Sequence, residues 1–495
     1  MEAEALKFKS DNALRRLPIL FVAFSVISAV LMFTFDQSAV SVDDRALISD
    51  GVTLSVFVAV ALFCAVARFN NKLTAETVIS AVVTVGFALR LAYALRYGYF
   101  EHQHDVESLK SSGHLSYIYR LSLGQGLPDT NEWQFSHPPL HHYIAAGVVA
   151  LSKAVGCSEE AAFENIQLLT VLYSTLIIFI SAAVFKECGL RGKTLTLSTS
   201  IIAFHPGFFI LAGSINNDCL SILLSLAAIY MLIKWCKKKT VLNAALIGLF
   251  TGLGMMTKFS ASLTAVIVAV TVIVKFITDK QRRPSDYLLQ TAVFLAVMLP
   301  LGMWFQIRNM LLFGQPIGYV APIGTDSPLY IGDISIVKRI LLPFSVRPVG
   351  VFADVWSEFN LWTYLLRNSL FNEYSFGNAA AAFFAVICNL CLIAASLAAM
   401  MLSIKRKNRI EGASIPIIGL AWTVQVISFI YLNLAYPFGC SMDSRYIMLT
   451  PVCGAAFVGV FLQKQCEVYS RLKPVGMLTE TVTVLFAVLS AVTFL

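Results

Sequence analysis

Apolar runs long enough to cross a bilayer recur along nearly the whole chain, separated by short polar breaks. A hydrocarbon core of ~30 Å needs about 20 residues of helix. That ruler marks spans near residues 17–35, 52–67, 77–97, 165–185, 195–213, 218–233, 241–257, 259–277, 287–307, 379–402, 414–434, 446–463 and 477–495. A further apolar run, 139–155, is short, opens on Pro139 and two histidines and closes on Ser152-Lys153. Charge decides its place. The basic Lys7, Lys9, Arg15 and Arg16 put the N-terminus in the cytoplasm. If 139–155 lies flat, eighteen Lys and Arg downstream of it fall in cytoplasmic loops and seven outside; if it crosses, the excess changes side and breaks the positive-inside rule. The pattern therefore predicts an amphipathic helix on the outer interface. Thirteen helices cross, with the C-terminus outside.

Composition agrees. Of 495 residues, 57% are hydrophobic and only 13% charged, against about 25% in soluble domains, so a water-soluble enzyme is excluded. The expected class is an all-α polytopic protein of the plasma membrane, surrounded by lipid. Its net charge of +8 belongs to cytoplasmic loops and does not point to nucleic acid. The ten cysteines have no zinc or disulfide spacing. Two outer stretches are long, 98–164 and 308–378, and loops of that length usually carry function. Residues 1–76 are expected to form a cytoplasmic tail and two helices, and 77–495 the catalytic transmembrane domain.

The first long loop holds six of the seven histidines, His102, His104, His114, His137, His141 and His142, with Glu101, Asp105, Glu107, Asp129 and Glu132. An acid just past a membrane helix is partly desolvated, which suits a general base, and Asp105 is the candidate. His102 and His104 with a carboxylate offer the alternative of a divalent metal site. Polar residues also stand at predicted outer helix ends: Asp218 after Asn216-Asn217, Lys258 in a tight turn, Arg308, and Arg445 in Asp443-Ser444-Arg445-Tyr446. Fixed cations at the level of Asp105 are what an anionic phosphate requires.

An acidic loop after a helix, followed by His137-Pro138-Pro139-Leu140, resembles the GT-C superfamily of membrane glycosyltransferases. The resemblance is to the phospholipid-carrier-dependent enzymes related to protein O-mannosyltransferases and the lipid A aminoarabinose transferase (glycosyltransferase family 39-like). Asn216-Asn217-Asp218, the 252–258 run Gly-Leu-Gly-Met-Met-Thr-Lys and Ser444-Arg445-Tyr446 extend it over roughly 78–465. It departs where the family has adjacent acids, since Val106 separates Asp105 from Glu107.

The resemblance implies that the first two helices are an addition before the core. It also implies inverting transfer of a sugar from a polyprenyl-phosphate carrier to a hydroxyl of a glycan, lipid or protein on the extracytoplasmic face. Asp105 would be the base. Lys258, Arg308 and Arg445, then His137 and Arg347, would hold the donor phosphate, and Asp218 or Glu107 would serve sugar, acceptor or metal. A lipid-linked oligosaccharide ligase or polymerase, or a lipid or sugar transporter, are the alternative readings. Nothing in one chain names the sugar.

Overall fold

The structure is a computed structural model that describes residues 13–102, 104–281, 283–341, 359–374, 378–404, 414–466 and 469–494. It is helical almost throughout, and among the described residues the only β pairing is a single bridge, Tyr330 with Phe438. Among the described residues ten helices are long and apolar enough to cross a membrane, two pairs of helices bent by 50° and 51° pass the same measure together, and Val241–Thr257 is a shorter apolar helix. These are the thirteen apolar segments expected, in a multi-pass membrane protein. The chain divides into two compact units: residues 1–203 with 208–319 and 412–414, and residues 204–207 with 320–411 and 415–495.

The first unit begins with α1 (Leu17–Thr34), α2 (Val42–Phe69) and α3 (Ala75–Arg96). Helix α2 starts ten residues before the span expected at 52. Ser41 caps it by accepting from the Asp44 amide, and Asp43 and Asp44 fill its first turn, where acids complement the unpaired N–H groups. These acids therefore belong to the helix rather than to an open loop. Next come α4 (His114–Ser122), α5 (Leu140–Ala154), α6 (Glu159–Glu187), α7 (Gly192–Ala203) and α8 (Pro206–Ala212, from Phe208). The unit ends with α9 (Asp218–Lys237), α10 (Val241–Thr257), α11 (Leu263–Thr278) and α12 (Pro284–Phe313).

Side-chain contacts sort the helix ends into two faces. On one, Gln37 donates to the Ala94 carbonyl, Ser158 to Asp36, Gln167 to the Tyr97 and Gly213 carbonyls, and Asn217 to the Thr257 carbonyl. On the other, Arg16 pairs with Glu76, Glu187 with Lys234 and Lys237, and Lys239 with Asp279. Both ends of α5 belong to the first face: His141 contacts the Ile215 carbonyl and Ser152 accepts from Asn165. Its 15 residues span only ~22 Å at 1.5 Å per residue. Helix α5 therefore lies along that face, as charge required. Its exposed side carries Tyr143, Ile144, Leu151 and Val155.

The second unit holds α13 (Leu361–Phe371), α14 (Ala379–Ile404), α15 (Ser414–Ala435, from Ile415), α16 (Thr450–Val460) and α17 (Lys473–Thr493). Short helical turns at Gly439–Met442 and Ser444–Ile447 lead into α16. Ile331, Leu361, Tyr364, Phe429 and Met442 form its buried cluster.

Candidate functional site

The site is built on the first unit's loop-bearing face. Past α3 the chain turns sharply: His102, Asp105 and Glu107 have φ of 51°, 59° and 51°, left-handed values uncommon for residues with a Cβ. Val106 between them is buried with Leu115, Ile118, Val149, Phe163 and Ile166. The Asp105 and Val106 carbonyls accept from the His114 and Leu115 amides at 3.0 and 3.2 Å. This close approach requires Gly113, because a Cβ there would collide with the Val106 carbonyl. Asp105 is thus half-buried at a fixed place, while Glu107 is exposed.

Behind the turn lies a buried histidine layer. His114 Nδ1 is 2.9 Å from His142 Nε2, and the His142 ring stacks on Tyr117 at 4.1 Å. Burial drives His114 well below the usual histidine range; His137 pushes the same way, and Asp105 and Asp218 oppose. His142 is depressed by burial and by His114. Both rings are therefore neutral, and one donates to the other. Burial brings His141 to about 4, and its Nε2 donates to the Ile215 carbonyl at 2.9 Å.

The third component comes from the turns before α9 and α11. Asp218 and Lys258 form a buried ion pair, 3% and 12% exposed. Asn217 Nδ2 donates to the Thr257 carbonyl at 2.8 Å and lies 3.1 Å from His137 Nδ1. Since the first contact fixes that atom as the amide nitrogen, His137 Nδ1 must be the acceptor. Asn216 Oδ1 accepts the Asp218 amide at 3.0 Å. Contacts thus link His137 to Asn217 and to the His114 ring, 5.8 Å away, the Asp105 carbonyl meets the His114 amide, and Asp218 and Lys258 pair beside Asn217. Two carboxylates and one ammonium at a helix-end level can take up a proton and hold an anion.

The other expected residues are placed differently. Arg308 donates to the Pro128 carbonyl at 2.7 Å and to Asn309 at 2.8 Å, between the rings of Phe305 and Phe313, so it anchors the far part of the first loop. Arg445 belongs to the second unit, where Nε is 3.3 Å from Asp443 and the guanidinium lies over Tyr446. Arg347 lies outside the described residues. His102 packs against Tyr97 with ring centroids 4.3 Å apart and the planes tilted by 51°, and burial lowers it to about 4. Among the described residues no three His, Cys, Asp or Glu side chains are placed to hold a metal ion together, so His102 and His104 do not assemble such a centre there. The pairing of His114 with His142 was not singled out from sequence. Its signal is the amphipathic pattern of α4, with Leu115, Ile118 and Leu121 on the side that buries His114.

Residues 136–304 match the family of dolichyl-phosphate-mannose-protein mannosyltransferases. The matched segment runs from just before His137 into α12 and includes Asp218 and Lys258. The expected likeness to protein O-mannosyltransferases is thus carried by about a third of the chain; Asp105, Arg308 and Arg445 lie outside the segment. Among solved structures the chain is similar to the S. cerevisiae protein O-mannosyltransferase Pmt1–Pmt2 complex bound to the sugar donor (14% identity, TM-score 0.38, 52% of this chain and 35% of that one). It is also similar to the Archaeoglobus fulgidus oligosaccharyltransferase in the apo form (12%, 0.48, 84% and 56%). A third is ArnT from Cupriavidus metallidurans in the apo state (14%, 0.37, 83% and 77%). The chain thus spans about a third to a half of the first two proteins. No curated protein matches it in sequence.

Proposed function

We propose that this protein is a glycosyltransferase that moves one sugar from a polyprenyl-phosphate carrier to an acceptor hydroxyl. The observation that carries this reading is the pair of carboxylates, Asp105 and Asp218, set about one buried neutral histidine, with Lys258 bound to the second. The mannosyltransferase family match over 136–304 supports the same class.

In this reading Asp105 takes the proton of the acceptor hydroxyl as its oxygen attacks the anomeric carbon. The bond from that carbon to the phosphate oxygen breaks on the opposite face, so the sugar inverts and polyprenyl phosphate leaves with an added negative charge. Lys258 stabilises that charge. Asp218 orients Lys258 and can receive a sugar or acceptor hydroxyl, with Glu107 as the outer acid. His137, held by Asn217 through Nδ1, presents Nε2–H as a second donor to the phosphate. Arg308, on the same unit, is a further candidate cation for the phosphate. The basic loops that join the opposite helix ends, Lys234, Lys237, Lys238 and Lys239 among them, support placing the site on the extracytoplasmic face of the plasma membrane. A lipid carrier is the form in which an activated sugar reaches that face, and the acceptor is a glycan, lipid or protein hydroxyl there.

The test is Asp105→Asn in purified protein reconstituted in lipid. The variant is expected to bind polyprenyl-phosphate sugar as the parent does and to release polyprenyl phosphate about 10²–10⁴-fold more slowly. Equal turnover by both proteins removes Asp105 from the mechanism.

A further inference from the structure

The turn that carries Asp105 is strained and has to be held. Its three left-handed residues, His102, Asp105 and Glu107, keep such conformations only where the surroundings over-determine them. Downstream, the hydrogen bonds from His114 and Leu115 do this. Upstream, the holding groups come from the α1–α2 hairpin, which lies outside the matched segment.

Gln37, buried in the link between α1 and α2, donates to the Ala94 carbonyl at 2.9 Å. That carbonyl is among the last four of α3, which no helical N–H serves. Ser49 donates to the Ala92 carbonyl at 2.9 Å, and Asp50 pairs with Arg96 at 2.8 Å. At the centre, Arg45 Nη1 lies 3.5 Å from Glu164 Oε1, the two side chains being 12% and 7% exposed. The second Glu164 oxygen accepts the Tyr99 N–H at 3.1 Å. Gly98 presses on the pair: a Cβ there would stand 3.2 Å from both Arg45 Nη1 and Glu164 Oε1. The neighbouring Asn165 donates to the Met32 carbonyl at the end of α1, at 2.7 Å. Hairpin, α6 and the first residues of the loop form one bonded unit.

We propose that Arg45 and Glu164 are positioning residues that fix Gly98 and Tyr99, and through them Asp105, making the N-terminal hairpin a working part of the site rather than an anchor. The proposal rests on the reading of Asp105 as the base. Its logic is that a buried carboxylate keeps one orientation only with a cation beside it. Without Arg45, the unpaired Glu164 carboxylate swings toward water, and the Tyr99 amide loses its acceptor.

The experiment compares parent, Arg45→Met and Arg45→Met/Glu164→Gln by amide hydrogen exchange over 97–106 and by steady-state kinetics with a short polyprenyl-phosphate sugar. In the single variant, exchange at Tyr99 is expected to rise about tenfold or more, and kcat to fall about tenfold with KM for the donor unchanged, since small misplacement of a reacting group costs rate rather than binding. The double variant has no unpaired charge, and its amide oxygen can still accept from Tyr99, so both values return most of the way. Parental exchange at Tyr99 in Arg45→Met overturns the proposal, and so does raised exchange with unchanged kcat. If the parent transfers no sugar at all, the glycosyltransferase reading fails, and the exchange arm alone decides whether the hairpin holds the loop. Should Arg45→Met not accumulate, Gly98→Ala, which wedges a methyl against the pair and leaves its charges, is expected to raise the exchange in the same way.

Discussion

Lys258 and Asp218 show how one pair can serve both stability and chemistry, and how the two can be separated. Their side chains are 12% and 3% exposed. Removing one partner of such a pair typically costs about 3–5 kcal/mol, because the other is left charged and dry, whereas replacing both is often close to neutral. Lys258→Met is therefore expected to lower the thermal midpoint strongly and to abolish turnover. Lys258→Met/Asp218→Asn is expected to regain most of the stability and none of the activity, if the ammonium acts on the leaving phosphate. Thermal unfolding in detergent and single-turnover release of polyprenyl phosphate measure the two separately. A double variant with parental turnover would leave Lys258 a purely structural cation. Both residues could be picked out in the sequence as polar groups at helix ends. Their mutual engagement, across forty positions, could not, because periodicity and charge place a residue on a face without choosing its partner.

At the scale of elements, the bend between α7 and α8 shows what breaks a span and what repairs it. Pro206 has no N–H to give the Ile202 carbonyl four residues back, and the two helices diverge by 50°. An unserved carbonyl in a bilayer is costly. Arg90, fully buried on α3, donates to the Ile202 and Ala203 carbonyls at 3.0 and 2.7 Å, to Gly86 at 2.8 Å and to Ser174 at 2.8 Å. Helix α6 continues the repair with a stripe spaced for one face: Gln167, Thr170 and Ser174 donate to the carbonyls of Gly213, Ala212 and Phe208. These bonds set the height at which Asn216, Asn217 and Asp218 emerge. Arg90→Met is expected to cost about 3 kcal/mol or more, from at least two orphaned carbonyls at about 1–3 kcal/mol each. Arg90→Lys should recover part of this, an ammonium reaching fewer of the four acceptors. Denaturant unfolding of the two purified variants checks the order. Arg90 could be seen in the sequence only as a charge within an apolar run, since the two carbonyls it repairs are more than a hundred residues away.

Over the whole molecule, the apolar segments were legible, and within the first unit the sharing of one face by helix ends, because each depends on one local quantity, apolar length or Lys and Arg count. The flat placement of α5 followed from the same count. The burial of the histidines was not legible, and it carries a consequence for acid stability. Nothing in the spacing of the six histidines separates a buried ring from a wet one, but His114 and His142 are held well below their usual range by burial, and His141 at about 4. In the unfolded chain each would take up a proton near 6.5. A group whose folded value is depressed contributes its full stabilisation above the unfolded value and loses it as pH falls toward the folded one. For His141 the window runs from 6.5 down to about 4, and the loss is ~1.4 kcal/mol per pH unit. At pH 5 that one fully buried ring has therefore forfeited ~2 kcal/mol, and His114 and His142 act in the same direction. The midpoint of thermal unfolding is expected to hold between pH 7.5 and 6.5 and to drop steeply toward pH 5. His141→Gln, which retains a donor for the Ile215 carbonyl and has no proton to gain, should lie below the parent at pH 7.5 and lose less on acidification. A parent whose midpoint is level from 7.5 to 5 would mean that the histidines reach water, and the dry layer that sets Asp105 against Asp218 would not exist.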